Sequence, residues 1–458
     1  MTQQTNSSMN RRRFLAMTAA STVMATGGAN LLSRATAKSR RRLNVLFILV
    51  DDMGWGDLSI YGRPDFETPN LDRLAQQGVR FTNAYSAQTV CTPTRIAFYT
   101  GRYPARLPIG LREPLSNITQ AGSSVGLPPN HPTIASLLKG NGYETALVGK
   151  WHCGYPPNYG PLKSGFDEYL GNLSGGIDYF THKDGGGVVD FYEGEELADR
   201  AGYATDLYTQ RAIEFIERPR SNPFYLSLHY NAPHWPWEGP EDEELSRSFY
   251  NTNGYTAGGS QEIYAAMVKS LDEGVGKVLE ALDASGQSDN TLVIFASDNG
   301  GERYSYFGPF QGRKGSLYEG GIRVPTLIRY PGVTQANQVS NQVIITHDLT
   351  ATILAATGTS FDPDYPLDGQ NLIPLLRSKR KVLPRTLFWR YGGAAPRTQK
   401  AVRSGNWKYL NLAGEEYLFN LSTDLGETVD LKDTHPKVFR HLRNQFEDWN
   451  SQVLPYGS

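Results

Sequence analysis

The sequence predicts an α/β fold, a large and mostly parallel central sheet flanked by helices, with a small C-terminal antiparallel sheet and one helix after it. Three observations predict this. Residues 43–50 (LNVLFILV) and 291–296 (TLVIFA) are nearly continuous apolar runs with β-branched content, and read as strands buried on both faces, as in a parallel sheet. Each run ends in a polar stretch, Asp51-Asp52-Met53-Gly54 and Ser297-Asp298-Asn299-Gly300, and strand carboxyl ends are where open α/β sheets place ligands. Strand-like and helix-like stretches alternate across residues 38–376, which calls for helices on both faces.

The chain has 458 residues, enough for a large core, and a formal net charge of −1. Residues 1–37 read as a twin-arginine-type signal peptide. Arg11-Arg12-Arg13-Phe14-Leu15 is followed by a weakly apolar run to Leu32 and by Ala35-Thr36-Ala37 at the cleavage positions. Thr, Ser and Gly27-Gly28 interrupt that run, so it makes a poor permanent membrane span. The expected location is periplasmic or secreted, with the twin-arginine export machinery as a partner. The leader carries four arginines and no acidic residue, so without it the net charge of −1 becomes −5, and nothing global points to nucleic acid. The basic run at 377–381 reads as a solvated linker between a catalytic domain, 38–376, and a C-terminal subdomain, 377–458. Two cysteines are present, Cys91 and Cys153, and in an exported chain they are candidates for a disulfide.

In chain order, the strand at 43–50 delivers Asp51 and Asp52 together. Paired carboxylates repel unless a cation or protons intervene, so a metal is their natural partner. Residues 68–78 make a short amphipathic helix closed by Gly78. Cys91-Thr92-Pro93-Thr94-Arg95 opens the next helix, because Pro93 suits a first turn. That puts Cys91 at the helix start, where free N–H groups and the dipole favour an anion, with Arg95 as a fixed cation one turn on. A helix at 133–139 and a strand at 144–148 lead to Gly149-Lys150-Trp151-His152-Cys153-Gly154, where Lys150 and His152, two apart, can face one side. Residues 155–200, rich in Gly, Pro, Tyr and Asp, read as long pocket-shaping loops.

A helix at 205–217 and a strand at 224–228 run into His229-Tyr230-Asn231-Ala232-Pro233-His234-Trp235-Pro236-Trp237, where His229 reads as packing or as support behind the site, and the two tryptophans as faces for sugar rings or a structural cluster. The longest helix, 261–282, precedes the strand at 291–296. Asp298 and Asn299 then complete an all-oxygen set with Asp51 and Asp52, suited to calcium, with magnesium compatible with the same residue types. A glycine-flanked Lys314, a strand at 324–330 and a helix at 347–357 follow. Beyond the boundary, 386–391, 399–410 and 416–421 read as antiparallel strands, and 436–453 as an amphipathic helix.

These strings resemble the type I, formylglycine-dependent sulfatases, arylsulfatase-like. The carriers are Cys91-x-Pro93-x-Arg95 with four residues before Thr100-Gly101, the Asp51-Asp52 strand end, Gly149-Lys150-Trp151-His152-x-Gly154, Ala232-Pro233-His234-x-Pro236, the Asp298-Asn299-Gly300 strand end and the Lys314 stretch, all in family order. Cys153 stands where the family usually has leucine, and Leu425 where proline is common. The resemblance implies an alkaline-phosphatase-like fold and hydrolysis of sulfate monoesters, those of sulfated carbohydrates and also aryl sulfates. It implies that a formylglycine-generating or sulfatase-maturating enzyme converts Cys91 to formylglycine. It also implies one Ca2+ held by Asp51, Asp52, residue 91, Asp298 and Asn299, with Arg95, Lys150, His152, His234 and Lys314 around the sulfate. Three alternatives stay open: a phosphodiesterase or phosphonate monoester hydrolase of the same superfamily; a non-catalytic binder of sulfated glycans, if Cys91 stays a thiol or pairs with Cys153; and a metal-dependent phosphatase using unmodified Cys91.

Overall fold

The computed structural model describes residues 42–112, 114–115, 125–247, 256, 258–377, 384–392 and 398–456. Within these, the main sheet runs, edge to edge, Gln338–Ser340, Val79–Phe81, Thr326–Arg329, Thr291–Ser297, Asn44–Val50, Phe224–His229, Glu144–Gly149, Glu168–Gly171, Tyr192–Glu193 and Glu196–Leu197. The five strands from Thr291–Ser297 to Glu168–Gly171 are mutually parallel. Thr326–Arg329 is antiparallel to both its neighbours. The sheet is thus mostly parallel, as expected.

Every residue of Asn44–Val50 is buried, which explains why its sequence does not alternate: both faces are covered. Leu46, Ile48 and Val50 pack with the helices Pro69–Gln76, Ala204–Glu217 and Gln261–Ala284. Val45, Phe47 and Leu49 pack with Cys91–Thr100, Ile134–Gly140 and Thr346–Thr357. The rings of Phe47 and Phe98 stack at 3.8 Å between centroids and seat the Cys91 helix on the centre of the sheet. That helix ends at Gly101, whose φ of +69° is a left-handed cap that glycine takes without strain.

The small sheet has four strands, Thr386–Tyr391, Gln399–Ser404, Trp407–Leu412 and Glu415–Asn420, all antiparallel, covered by the helix Pro436–Asn450. The stretch 399–410 is therefore two strands of a hairpin rather than one. Ser404 lies opposite Trp407, and the two-residue turn Gly405-Asn406 reverses the chain with Gly405 at φ +58°. Gly-Asn between apolar runs is a hairpin signal that an unbroken reading of the segment overlooks. Leu387, Trp389, Tyr409 and Leu418 of this sheet share one apolar cluster with Tyr85, Ala97, Leu317 and Ile322 of the larger part.

The leader, 1–37, and most of the basic run, 378–381, lie outside the described residues. Among the described residues no helix is long and apolar enough to cross a membrane.

Candidate active site

Adjacent parallel strands end at one level: Val50 is level with Ser297, and His229 with both Leu49 and Gly149. Asp51-Asp52, Asp298-Asn299 and Lys150 leave the sheet directly after three of these strands, and His229 closes the fourth, whose following loop carries His234. The expected convergence at the carboxyl ends is what the strand order produces.

Asp52 turns sharply off its strand with φ +62°, a left-handed conformation that costs a non-glycine residue roughly 1–3 kcal/mol. Its N–H donates to Asp298 Oδ1 at 3.3 Å and the next N–H, of Met53, to Ser297 Oγ at 3.0 Å, so neighbouring strand ends hold the turn. One ligand atom each from Asp51, Asp52, Cys91 and His234 lies within 4.8 Å of the others, all four buried. Asn299 Nδ2 donates to Asp52 Oδ1 at 2.7 Å, which leaves Asn299 Oδ1 without a hydrogen-bond partner; Asp51 Oδ1 is buried and unpartnered as well. Two orphaned buried oxygens beside paired carboxylates fit a hard cation, which would satisfy them.

Asp298 stands somewhat apart from that tight group. Its Oδ2 accepts from Arg95 Nε at 3.1 Å and Nη2 at 2.8 Å. Arg95 Nη1 donates to the carbonyl of Lys150 at 2.9 Å. Lys150 Nζ donates to Asp51 Oδ2, and Lys314 Nζ donates to Asp52 Oδ2 at 2.8 Å. Three carboxylates thus face three fixed cations. Burial, and then the charge of Asp51, pushes Asp298 up to about 6, against Arg95, Lys150 and Lys314. Burial also pushes the Cys91 thiol up to about 12, although Lys150 and Lys314 oppose it, so an unmodified Cys91 is a neutral thiol here. Cys91 and Cys153 are both buried and unbonded, so the structure does not contain the disulfide alternative.

The two histidines have assigned tautomers, because each is bonded to a carbonyl oxygen. His152 Nε2 donates to Leu115 O at 3.0 Å, and its Nδ1 is buried without a partner. His234 Nδ1 donates to the Trp235 carbonyl, and its Nε2 lies 3.7 Å from Asp52 Oδ2. Burial holds both imidazoles neutral, reinforced by Lys150 at His152 and by Lys314 at His234. All the expected site residues are therefore in one place. The structure also sets His234 beside Asp51, Asp52 and Cys91, where the resemblance had put it with the residues around the sulfate.

Three further groups support the site, and Asp57 is the one among them that the sequence did not single out. His229 supports the site from behind: its Nε2 pairs with Ser227 Oγ at 2.8 Å and its Nδ1 lies 3.3 Å from Arg95 Nη1. Asp57, the third carboxylate after the first strand, braces the loop behind Asp52, accepting from Gly54 N at 2.7 Å, Tyr264 Oη at 2.6 Å and Arg63 Nη1 at 2.6 Å. A buried acid at a fixed offset in a glycine-rich turn was the available signal. The third is the loop segment 172–179, within the stretch expected to shape the pocket; it lines both histidines, a placement that its aperiodic sequence does not specify. Of the two tryptophans, Trp237 is buried against Tyr304, whereas Trp235 is partly exposed beside His234.

A family model described as "Sulfatase" matches residues 43–359, and one described as "N-sulphoglucosamine sulphohydrolase, C-terminal" matches 307–452. The chain is 37% identical to N-acetylgalactosamine-6-sulfatase of Homo sapiens over 369 residues, covering 76% of this chain and 68% of that protein. It is 31% identical to arylsulfatase J of Mus musculus over 470 residues, covering 90% and 76%. A crystal structure described as Ps i-CgsB in complex with k-i-k-neocarrahexaose superposes with a TM-score of 0.79 at 31% identity, covering 89% of this chain and 93% of that one.

Proposed function

The chain belongs to the sulfatase family and is a sulfuric ester hydrolase, and from that premise we propose that residue 91 acts as a formylglycine hydrate beside one bound Ca2+, on sulfated carbohydrates. The reading rests on the convergence of Cys91, at a buried helix start, with Asp51, Asp52 and His234, inside a ring of three cations. A neutral buried thiol is a poor nucleophile, which disfavours the phosphatase that would use Cys91 unmodified.

Asp51, Asp52, Asp298 and Asn299 would hold the ion, with the oxygen of the modified residue 91. When bound, it supplies positive charge to the sulfate oxygens and favours ionised oxygen at residue 91. Because the three carboxylates are already matched by Arg95, Lys150 and Lys314, a divalent ion leaves the site net positive by about its own charge, suited to a sulfate monoanion. In the first half-reaction one hydroxyl of the hydrate attacks sulfur and loses its proton, with Asp298 as the base. The S–O bond to the alcohol breaks, and the Lys314 ammonium delivers a proton to the departing oxygen, with neutral His234 beside it orienting that oxygen. In the second, His152 accepts the proton of the remaining hydroxyl at its free Nδ1. The bond from residue 91 to the sulfate oxygen then breaks, the aldehyde reforms and sulfate leaves. Arg95, held by Asp298 and the Lys150 carbonyl, steadies the hydrate. Ester-linked serine has no second hydroxyl and would stay sulfated, which is why the chemistry favours a diol.

The sugar assignment draws on the N-acetylgalactosamine-6-sulfatase relative, on the neocarrahexaose-bound neighbour and on Trp235 at the site. Export of the chain by the twin-arginine route, folded and already modified, belongs to the same proposal, as does the division at 377. The decisive measurement is mass spectrometry of the residue-91 peptide from protein made with a maturation enzyme, alongside 4-nitrophenyl sulfate turnover. An aldehyde at 91, with activity lost in a calcium chelator and restored by calcium, is expected. A plain cysteine in fully active protein would refute the mechanism.

A further inference from the structure

The segment 172–179 ties the two histidines together from the loop side. Trp151 N donates to Asn172 O at 2.9 Å and His152 N to Leu173 O at 3.2 Å. At the other end Tyr179 Oη donates to the carbonyl of His234 at 3.0 Å. Between these anchors lie Gly175 and Gly176. A Cβ on Gly175 would come 2.8 Å from His152 Cε1 and 3.0 Å from its Nε2, and one on Gly176 would come 2.9 Å from His234 Cε1 and 3.0 Å from its Nδ1. Carbon atoms in contact sit at about 3.5–4.0 Å, so neither position has room for a side chain. Neither glycine has a positive φ. Backbone conformation therefore does not require glycine here; the imidazoles do.

The segment is itself held from behind. The Asp190 carboxylate accepts from Leu173 N at 3.0 Å and Ser174 N at 2.7 Å. Ser174 Oγ donates to Gly176 O at 3.1 Å, and Asn172 Nδ2 donates to Ser174 O at 3.0 Å. Asn172, Ser174 and Asp190 are all fully or almost fully buried. A rigid backbone thus presses its two bare Cα positions against two imidazoles, one each.

We propose that Ser174-Gly175-Gly176 is a positioning strap that sets the two histidines separately, Gly175 fixing His152 and Gly176 fixing His234, so that each glycine governs one half-reaction. This rests on the roles given above for His152 and His234. Gly175→Ala forces His152 off the Leu115 carbonyl and slows sulfate release. Gly176→Ala displaces His234 from its Trp235 carbonyl and weakens protonation of the leaving alcohol. A misplacement of about 1 Å at such groups costs up to about 100-fold in rate.

The test uses the matured enzyme and a series of substituted phenyl sulfates, from 4-nitrophenyl to unsubstituted phenyl. It reads kcat/KM against leaving-group acidity and the mass of the residue-91 peptide quenched during turnover. His152→Ala and His234→Ala are run first, and are expected to give an accumulated sulfated residue 91 and a steepened leaving-group dependence, respectively. If they do not, the mechanism itself is wrong. If they do, Gly175→Ala should reproduce the first signature and Gly176→Ala the second, each with kcat or kcat/KM lowered about 10- to 100-fold. Equal loss across all leaving groups with no sulfated peptide in either glycine variant, while the histidine variants behave as expected, overturns the strap alone. Should the alanine variants not fold, Ser174→Ala removes the hydroxyl that holds Gly176 without adding bulk. It should give a weaker form of the His234 signature, and an unchanged leaving-group slope there overturns the proposal equally.

Discussion

Adjacent residues in this site have separate fates: Asp51 is matched by Lys150 and Asp52 by Lys314, from distant parts of the chain. That matching lets two consecutive carboxylates stay buried, where unpaired charges would be prohibitive. Glu238 lacks such a match. Its Oε1 accepts from Tyr179 N at 2.6 Å, and among the described residues its Oε2 has no hydrogen-bond partner and no basic side chain pairs with it. Burial, reinforced by Asp178, pushes it up to about 9. A raised carboxyl contributes stability that is fully present below its unfolded value near 4.5 and is lost as pH rises through about 9. Across that window Glu238 tilts the unfolding free energy downward by at most about 1.4 kcal/mol per pH unit. Glu238→Gln removes the tilt, so the variant should gain stability over the parent between pH 6 and 9 in urea unfolding. Parallel profiles for the two proteins would contradict this.

At the scale of elements, the loop carrying Lys314 depends on the small sheet. Leu317 N donates to Gln399 Oε1 and Gln399 Nε2 donates to Gly315 O, both at 2.9 Å, so the first residue of a C-terminal strand brackets the backbone beside Lys314. Deeper in, Lys408 Nζ pairs with Glu319 Oε1 at 2.9 Å and with Glu427 Oε1 at 2.8 Å, all three side chains fully buried. Arg323 Nη1 also pairs with Glu319, at 3.2 Å, so removing Lys408 strands chiefly the Glu427 carboxylate; breaking a buried pair costs about 3–5 kcal/mol. Lys408→Met should therefore lower the urea midpoint strongly. Adding Glu427→Gln should recover part of the loss; a double variant no better than the single would show that packing, not charge, sets the cost.

For the whole molecule, the proposed ion would be a stability term. A ligand that binds only the folded state at 100 times its Kd adds about 2.7 kcal/mol. Calcium should raise the melting temperature over chelator, and Asp52→Asn should abolish most of that increment. An identical melting temperature in calcium and in chelator would count against an ion site at these strand ends, and a larger increment in magnesium would reassign the ion. The shared apolar cluster around Trp389, Tyr85 and Ile322 couples the small sheet, across the proposed division at 377, to the residues it braces. Unfolding should accordingly appear as one transition.

Much of this was legible in the chain. Unbroken apolar runs imply strands covered on both faces, and carboxylates or lysine directly after a strand must emerge at its carboxyl end whatever the strand order; Asp51, Asp298 and Lys150 were therefore readable in advance. The hairpin turn at Gly405-Asn406 is likewise written in two adjacent residues, although the apolar run on either side reads as one strand. What only the tertiary structure decided is which strand ends stand side by side, and hence which acid meets which base: Arg95 takes Asp298, Lys150 takes Asp51, Lys314 takes Asp52. It also decided that two glycines in a loop without periodicity press on two histidines. Strand periodicity and turn chemistry are local and leave a trace in adjacent residues, whereas pairing between positions 99 to 262 residues apart depends on strand order and packing, which no local window contains.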